Sequence, residues 1–207
     1  MINSQRTVTL APPSAEEGRS TNTQLKEEEE NMSKSDELTE AIMKKIPDEI
    51  KWKAAYESYV GSVCGYDLTM AAVLGMDKWT EIHDNLWGEG GKFTYPQVKE
   101  GFNVPCTNAI EAATLAAVVS NLGHGPRYEW EVIEETPKRA VYRFTKCPWW
   151  DTYLAFGGKP ENIVCAGGHE RFVGDGLKAV NPKLKHTLTK ALPRGDPYCE
   201  ACYELED

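Results

Sequence analysis

No apolar run in this chain approaches the roughly 20 residues that a helix needs to cross a bilayer. The longest, such as Ala112 to Val119, fall far short. The N-terminus lacks the basic-then-apolar plan of a secretory signal. Positive charge is also scarce: 23 Lys and Arg stand against 32 Asp and Glu, for a net charge of -9. Nucleic-acid binders need clustered Lys and Arg, so no nucleic-acid partner is expected, and no membrane partner either. No internal repeat is visible. The glycine clusters at Gly88-Glu-Gly-Gly and Phe156-Gly-Gly match neither a phosphate loop nor a dinucleotide fingerprint. None of His83, His124 and His186 has a second ligand four residues on.

Six cysteines are present. Without an export signal they read as reduced thiols, metal ligands or catalytic groups of a cytoplasmic protein, rather than as a disulfide framework.

Residues 1–46 read as a disordered acidic tail. They are rich in Ser, Thr, Asn, Gln and Glu, with an unbroken acidic run at Glu27 to Glu30. Such composition cannot bury enough apolar surface to offset the entropy of ordering. Met32 opens a second plausible start, Met-Ser-Lys-Ser-Asp. Residues 47–207 are expected to form the folded domain.

Asp48 can cap a helix whose apolar stripe is Ile50, Ala54, Tyr56, Val60, Val63 and Cys64. A second helix is expected from Leu68 through Trp79 to Leu86, with Gly75 as a break and Gly88, Gly90 and Gly91 as its end. Asn108 followed by Glu111 is a capping signal, and a compact apolar helix should follow until Gly123. Tyr128 to Ile133 and Ala140 to Phe144 alternate as strands around the turn Thr136-Pro137-Lys138-Arg139, which gives an antiparallel hairpin. Short helices are expected from Trp149 to Phe156 and from about Glu161 or Cys165 through Val180. Asn181-Pro182 then breaks the chain. Leu184 to Leu192 reads as a short helix or strand, and Tyr198 to Leu205 as a last strand. The fold class is α+β: an antiparallel sheet with helices packed on it, in one domain.

Chemistry is expected in the C-terminal third. Cys64 reads as a small buried hydrophobe. Cys106, just before a helix, has the position that lowers a thiol pKa. Cys147, Cys165, Cys199 and Cys202 are the denser group. Soft metals prefer thiolate and imidazole donors, so zinc is the candidate metal, with Cys199, Cys202 and Cys165 as ligands. Only one close pair exists, however, and a zinc ribbon needs two. A catalytic reading uses Cys147 as nucleophile, with His169 as its basic partner and Cys165 nearby. Trp149 and Trp150 could wall off water or stack on a flat ligand. Arg143 and Asn108 complete the candidate ligand contacts. His83 reads as solvent-exposed beside Glu81 and Asp84, His124 as part of a turn, and His186 as unremarkable in chemistry.

The order of a strand ending in Cys147-Pro, Cys165 before a helix, Asn181-Pro182 after it, and Gly195-Asp196-Pro197-Tyr198-Cys199 resembles the L-2-amino-thiazoline-4-carboxylic acid hydrolase-like family. It is also similar to 4-vinyl reductase domains, small ligand-binding α+β modules. The first resemblance implies hydrolytic opening of a thiazoline ring, with Cys147, Cys165 and Cys199 at the family's cysteine positions and Cys202 extra. The second implies a further cysteine shortly before the Gly-Asp turn, where this chain reads Thr187-Leu-Thr-Lys-Ala191 and has none. Three functions stay open: a small-molecule hydrolase, a ligand-binding or sensing module, and an interaction protein with structural zinc. A small-molecule ligand or substrate is the expected partner in the first two, and a homo-oligomer is left open.

Overall fold

A computed structural model describes residues 33–124, 128–160 and 163–207. The expected tail therefore lies mostly outside the described residues, as do Glu161 and the side chain of His124. The chain divides into two units, Met1–Asp48 and Glu49–Asp207. In the first, α1 spans Lys34–Lys45. It lies within the span expected as a tail, residues 1–46.

The second unit carries α2 (Asp48–Leu74), α3 (Met76–Gly101), α4 (Ala109–His124), α5 (Pro148–Ala155) and α6 (Cys165–Val180). Its strands are β1 (Glu129–Glu135), β2 (Arg139–Lys146), β3 (Leu184–Lys190) and β4 (Cys199–Leu205). They form one antiparallel sheet in the order β1-β2-β4-β3. This is the α+β architecture expected from the sequence. No helix among the described residues is long and apolar enough to cross a membrane.

The sheet's two faces follow from the two-residue period of strands. Ala140, Tyr142 and Phe144 of β2 share a face with Ala201 and Tyr203 of β4, and this face meets the core. Leu184 and Leu188 extend it across β3. Ala109, Ala112, Leu115, Ala116 and Val119 of α4 and Val173 and Leu177 of α6 pack against it. Asn108 caps α4: its Oδ1 accepts the Glu111 backbone N–H at 3.0 Å. Glu111 in turn accepts the Thr107 backbone N–H at 2.7 Å. The helix starts where the sequence signal puts it, but runs through Gly123 to His124.

The opposite face carries charge. Arg143 lies between Glu131 (3.7 Å) and Glu200 (3.4 Å) and over the Tyr198 ring at 4.1 Å. Arg139 pairs with Glu134 and Glu204.

The largest departure from expectation is α3. It does not stop at Gly88, Gly90 and Gly91 but continues through them and through Pro96. The break comes at Gly75, whose φ of 81° is the left-handed conformation that glycine adopts without penalty. Each helical glycine costs about 1 kcal/mol against Ala in propensity. Packing offsets this cost. α3 and α6 run side by side in the same direction, with His83 level with Gly168, Gly91 with Phe172 and Tyr95 with Gly176. At Gly91 a side chain would collide with the backbone carbonyl of Phe172. The glycines are the seam between two helices, and the helix persists because tertiary contact outweighs local preference.

Candidate active site

The seam sets the floor of a cavity of about 100 Å³. Four separate elements bring thiols to it: Cys64 from α2, Cys147 at the end of β2, Cys165 at the start of α6 and Cys199 at the start of β4. His169 lines it one turn beyond Cys165. The walls are aromatic. Trp87 stands edge-on to Trp149 at 5.7 Å and to Phe172 at 5.5 Å. Among the described residues, no Lys or Arg lines it. A neighbouring groove along α4 shares Ser120, Tyr128, Phe144, His169 and Val173 with the cavity.

Burial governs the titration of these groups. Cys147 is the N-cap of α5, where backbone N–H groups of Trp150 and Trp149 favour the thiolate. Desolvation outweighs them and pushes the thiol up to about 12. Burial, then nearby Cys147 and Cys199, raise Cys165 well above the usual thiol range. Burial also raises Cys199. Cys64 is pushed up to about 11, first by burial and then by Asp67. His169 is held down to about 4 because its buried imidazole resists taking a charge. Its Nδ1 has no hydrogen-bond partner. The resting cavity at neutral pH therefore holds protonated thiols and a neutral His169.

One end is polar. Asp67 and His83 are buried there and both line the cavity. The Trp79 indole N–H donates to Asp67 Oδ1 at 3.2 Å. The Trp87 indole N–H donates to His83 Nε2 at 2.8 Å. Nε2 must then be the acceptor nitrogen, so the hydrogen sits on Nδ1, which faces Asp84 Oδ1 at 3.3 Å. His83 is thus a buried, oriented imidazole and not the solvent-exposed residue expected from its polar neighbours. The signal that could have placed it inside is its spacing from Trp79 and Trp87: residues four apart share one helix face.

Trp149 also lines the cavity, whereas Trp150 is not among its lining residues. Two further expected ligand contacts point elsewhere. Arg143 is on the charged face of the sheet, paired with glutamates, because its strand neighbours Tyr142 and Phe144 take the inner face. Asn108 is occupied in capping α4. Of the expected zinc ligands, Cys165 and Cys199 both line the cavity, whereas Cys202 does not. Cys199 and Cys202 are three residues apart on a period-two strand, so they project from opposite faces of β4. Cys199 faces the cavity, while Cys202 lies beside Arg139 and Glu204. Among the described residues no group of three His, Cys, Asp or Glu could hold a metal ion. His186, expected to be chemically silent, is buried against His169 with ring centroids 5.2 Å apart. All six cysteines are free.

Solved structures share this fold. The phenol-responsive sensory domain of the transcription activator PoxR, crystallised with phenol, aligns with a TM-score of 0.52 at 9% identity, covering 70% of this chain and 74% of that one. A trafficking protein particle complex subunit 3 from Naegleria fowleri, covalently bound to palmitic acid, aligns with a TM-score of 0.50 at 13% identity, covering 75% of this chain and 97% of that one. At such identities the likeness is one of fold. No curated protein matches the chain. The family model for L-2-amino-thiazoline-4-carboxylic acid hydrolase matches residues 55–203, which takes in every cavity-lining residue named above. The chain belongs to the L-2-amino-thiazoline-4-carboxylic acid hydrolase family.

Proposed function

We propose that this protein is a small-molecule hydrolase that opens a ring containing C–N and C–S bonds inside the thiol-lined cavity. The observation that supports it is that Cys147, Cys165 and His169 line one largely apolar cavity, in a chain of this family. In this reading Cys147 Sγ adds to the ring carbon between nitrogen and sulfur as its proton passes to His169. The ring C–S bond breaks and the departing sulfur takes that proton. Water then adds to the carbon held on Cys147, and Sγ leaves as a thiol. A protonated thiol and a neutral imidazole on one cavity suit this order, because the proton moves only as the bond forms. Cys165 is the second thiol available on the same wall.

The test is hydrolysis of thiazolines and related cyclic amidines by purified protein, by Cys147→Ala and by His169→Ala. Each variant should lose at least about 100-fold in kcat/KM. Unchanged rates in both would remove the site.

A second reading, ligand binding without turnover, draws on one specific observation: the four cavity thiols are all raised and none is activated. The two structural neighbours each hold an apolar guest, phenol in one and palmitic acid in the other. On this reading native mass spectrometry finds a retained guest and the alanine variants keep it.

A further inference from the structure

The thiol-lined cavity is small, about 100 Å³. An apolar space of about 150 Å³ takes one benzene ring, so this chamber suits a single small ring. The groove along α4 adds about 280 Å³. Ala113, Ala116, Ala117 and Ser120 line one side of it. They are three and four residues apart, so they share a helix face, and their small side chains leave the room. Trp130 and Val132 of β1 line the other side. They pair with Phe144 and Tyr142 of β2, so all four take the same face of the hairpin. Trp130 and Val132 are 38% and 53% exposed. Apolar side chains exposed side by side, next to a buried cavity, mark a ligand groove.

The two spaces meet at His169, which lines both. Its buried Nδ1 has no hydrogen-bond partner, and the Phe144 ring stands edge-on to its imidazole at 6.2 Å. At the far end, the Tyr142 hydroxyl donates to Glu135 Oε1 at 2.5 Å. Among the described residues, Glu135 is the one carboxylate on the groove, and no Lys or Arg lines it. From Trp130 to Glu135 the strand spans about 15 Å, long enough for a chain of several carbons.

We propose that the ligand is a small ring bearing an elongated, uncharged apolar arm. The ring occupies the thiol-lined cavity, and the arm passes His169 into the groove between α4 and the β1–β2 hairpin. The inference rests on the cavity being the ligand site, as proposed above, and deepens it. It places no limit on the other substituents of the ring, an acid group included.

The probes are 2-aminothiazole-4-carboxylic acid and its propyl and hexyl derivatives, with the arm on the 2-amino nitrogen in one series and on ring carbon 5 in another. The aromatic ring resists opening, so isothermal titration calorimetry reads equilibrium affinity. Each fully buried methylene contributes about fourfold. In at least one series hexyl should bind at least tenfold tighter than the parent, with propyl between. Ala117 lines the groove and not the cavity, and Thr114 is an exposed groove residue. Ala117→Phe and Thr114→Phe should each remove most of the hexyl gain and leave the parent within twofold. Flat affinity in both series would overturn the inference while leaving the cavity as a site for the ring, and this comparison needs no variant to fold. A hexyl gain that survives in both variants would place the arm elsewhere and overturn it too. Binding of none of the probes would remove the cavity reading and this inference together.

Discussion

The indole N–H of Trp87 donates to Nε2 of His83, one helical turn away on α3, at 2.8 Å. This bond fixes the tautomer of a buried imidazole and places an indole ring in the cavity wall at the same time. Trp87→Phe would leave the buried Nε2 without its donor and trim the wall. An orphaned buried acceptor costs about 1–3 kcal/mol. Urea unfolding should show a loss of at least about 1 kcal/mol. An unchanged midpoint would mean that His83 finds another donor.

The α3–α6 seam predicts opposite outcomes for two glycines. Gly91→Ala drives a methyl group into the Phe172 carbonyl, so overpacking should cost about 1–3 kcal/mol. Gly65 in α2 has nothing within 4 Å of where a side chain would start. Gly65→Ala should stabilise by about 0.5–1 kcal/mol through helix propensity. Thermal melts of both variants check the pair.

His169 makes stability depend on pH. Its folded pKa is held down to about 4 from an ordinary 6.5. As pH falls below 6.5 the unfolded chain takes a proton here and the folded chain does not, so stability is lost on acidification between 6.5 and about 4. At 1.36 kcal/mol per unit the His169 share is about 3 kcal/mol. His186 is shifted the same way, first by burial and then by His169. The Asp67 carboxyl is raised and contributes with the opposite sign. Unfolding free energies measured from pH 7 to 4.5 should fall, and His169→Asn should flatten the slope.

Arg143 supplies a control. It is paired with Glu131 and Glu200 on the charged face of the sheet, away from the cavity. Arg143→Ala should leave ligand affinity within twofold and cost no more than about 1 kcal/mol. A large loss of binding would place this side chain in contact with the ligand.

Local signals were legible in the sequence. The Asn108 cap, the hairpin turn at Thr136 to Arg139, the α6 boundaries and the last strand all follow from residues that act on their immediate neighbours. What escaped depends on contacts distant in sequence. Gly88 and Gly91 look like helix stops until α6, which begins only at Cys165, is laid beside them. His83 looks solvent-exposed beside Glu81 and Asp84 until Gly168 packs over its ring. Arg143 and Cys202 stay outside the cavity because each takes the other face of its strand. The alternation of Tyr142, Phe144, Ala201 and Tyr203 as apolar residues would have placed both on the other face.

The central claim is that Cys147, Cys165 and Cys199 open onto one cavity and Cys202 does not. Iodoacetamide footprinting at pH 9, read by peptide mass spectrometry across a thiazoline titration, tests it most directly. The account predicts that the three thiols become protected together along one saturation curve, with Cys202 unaffected. Protection that splits among the three, or that includes Cys202 in step with them, would contradict it.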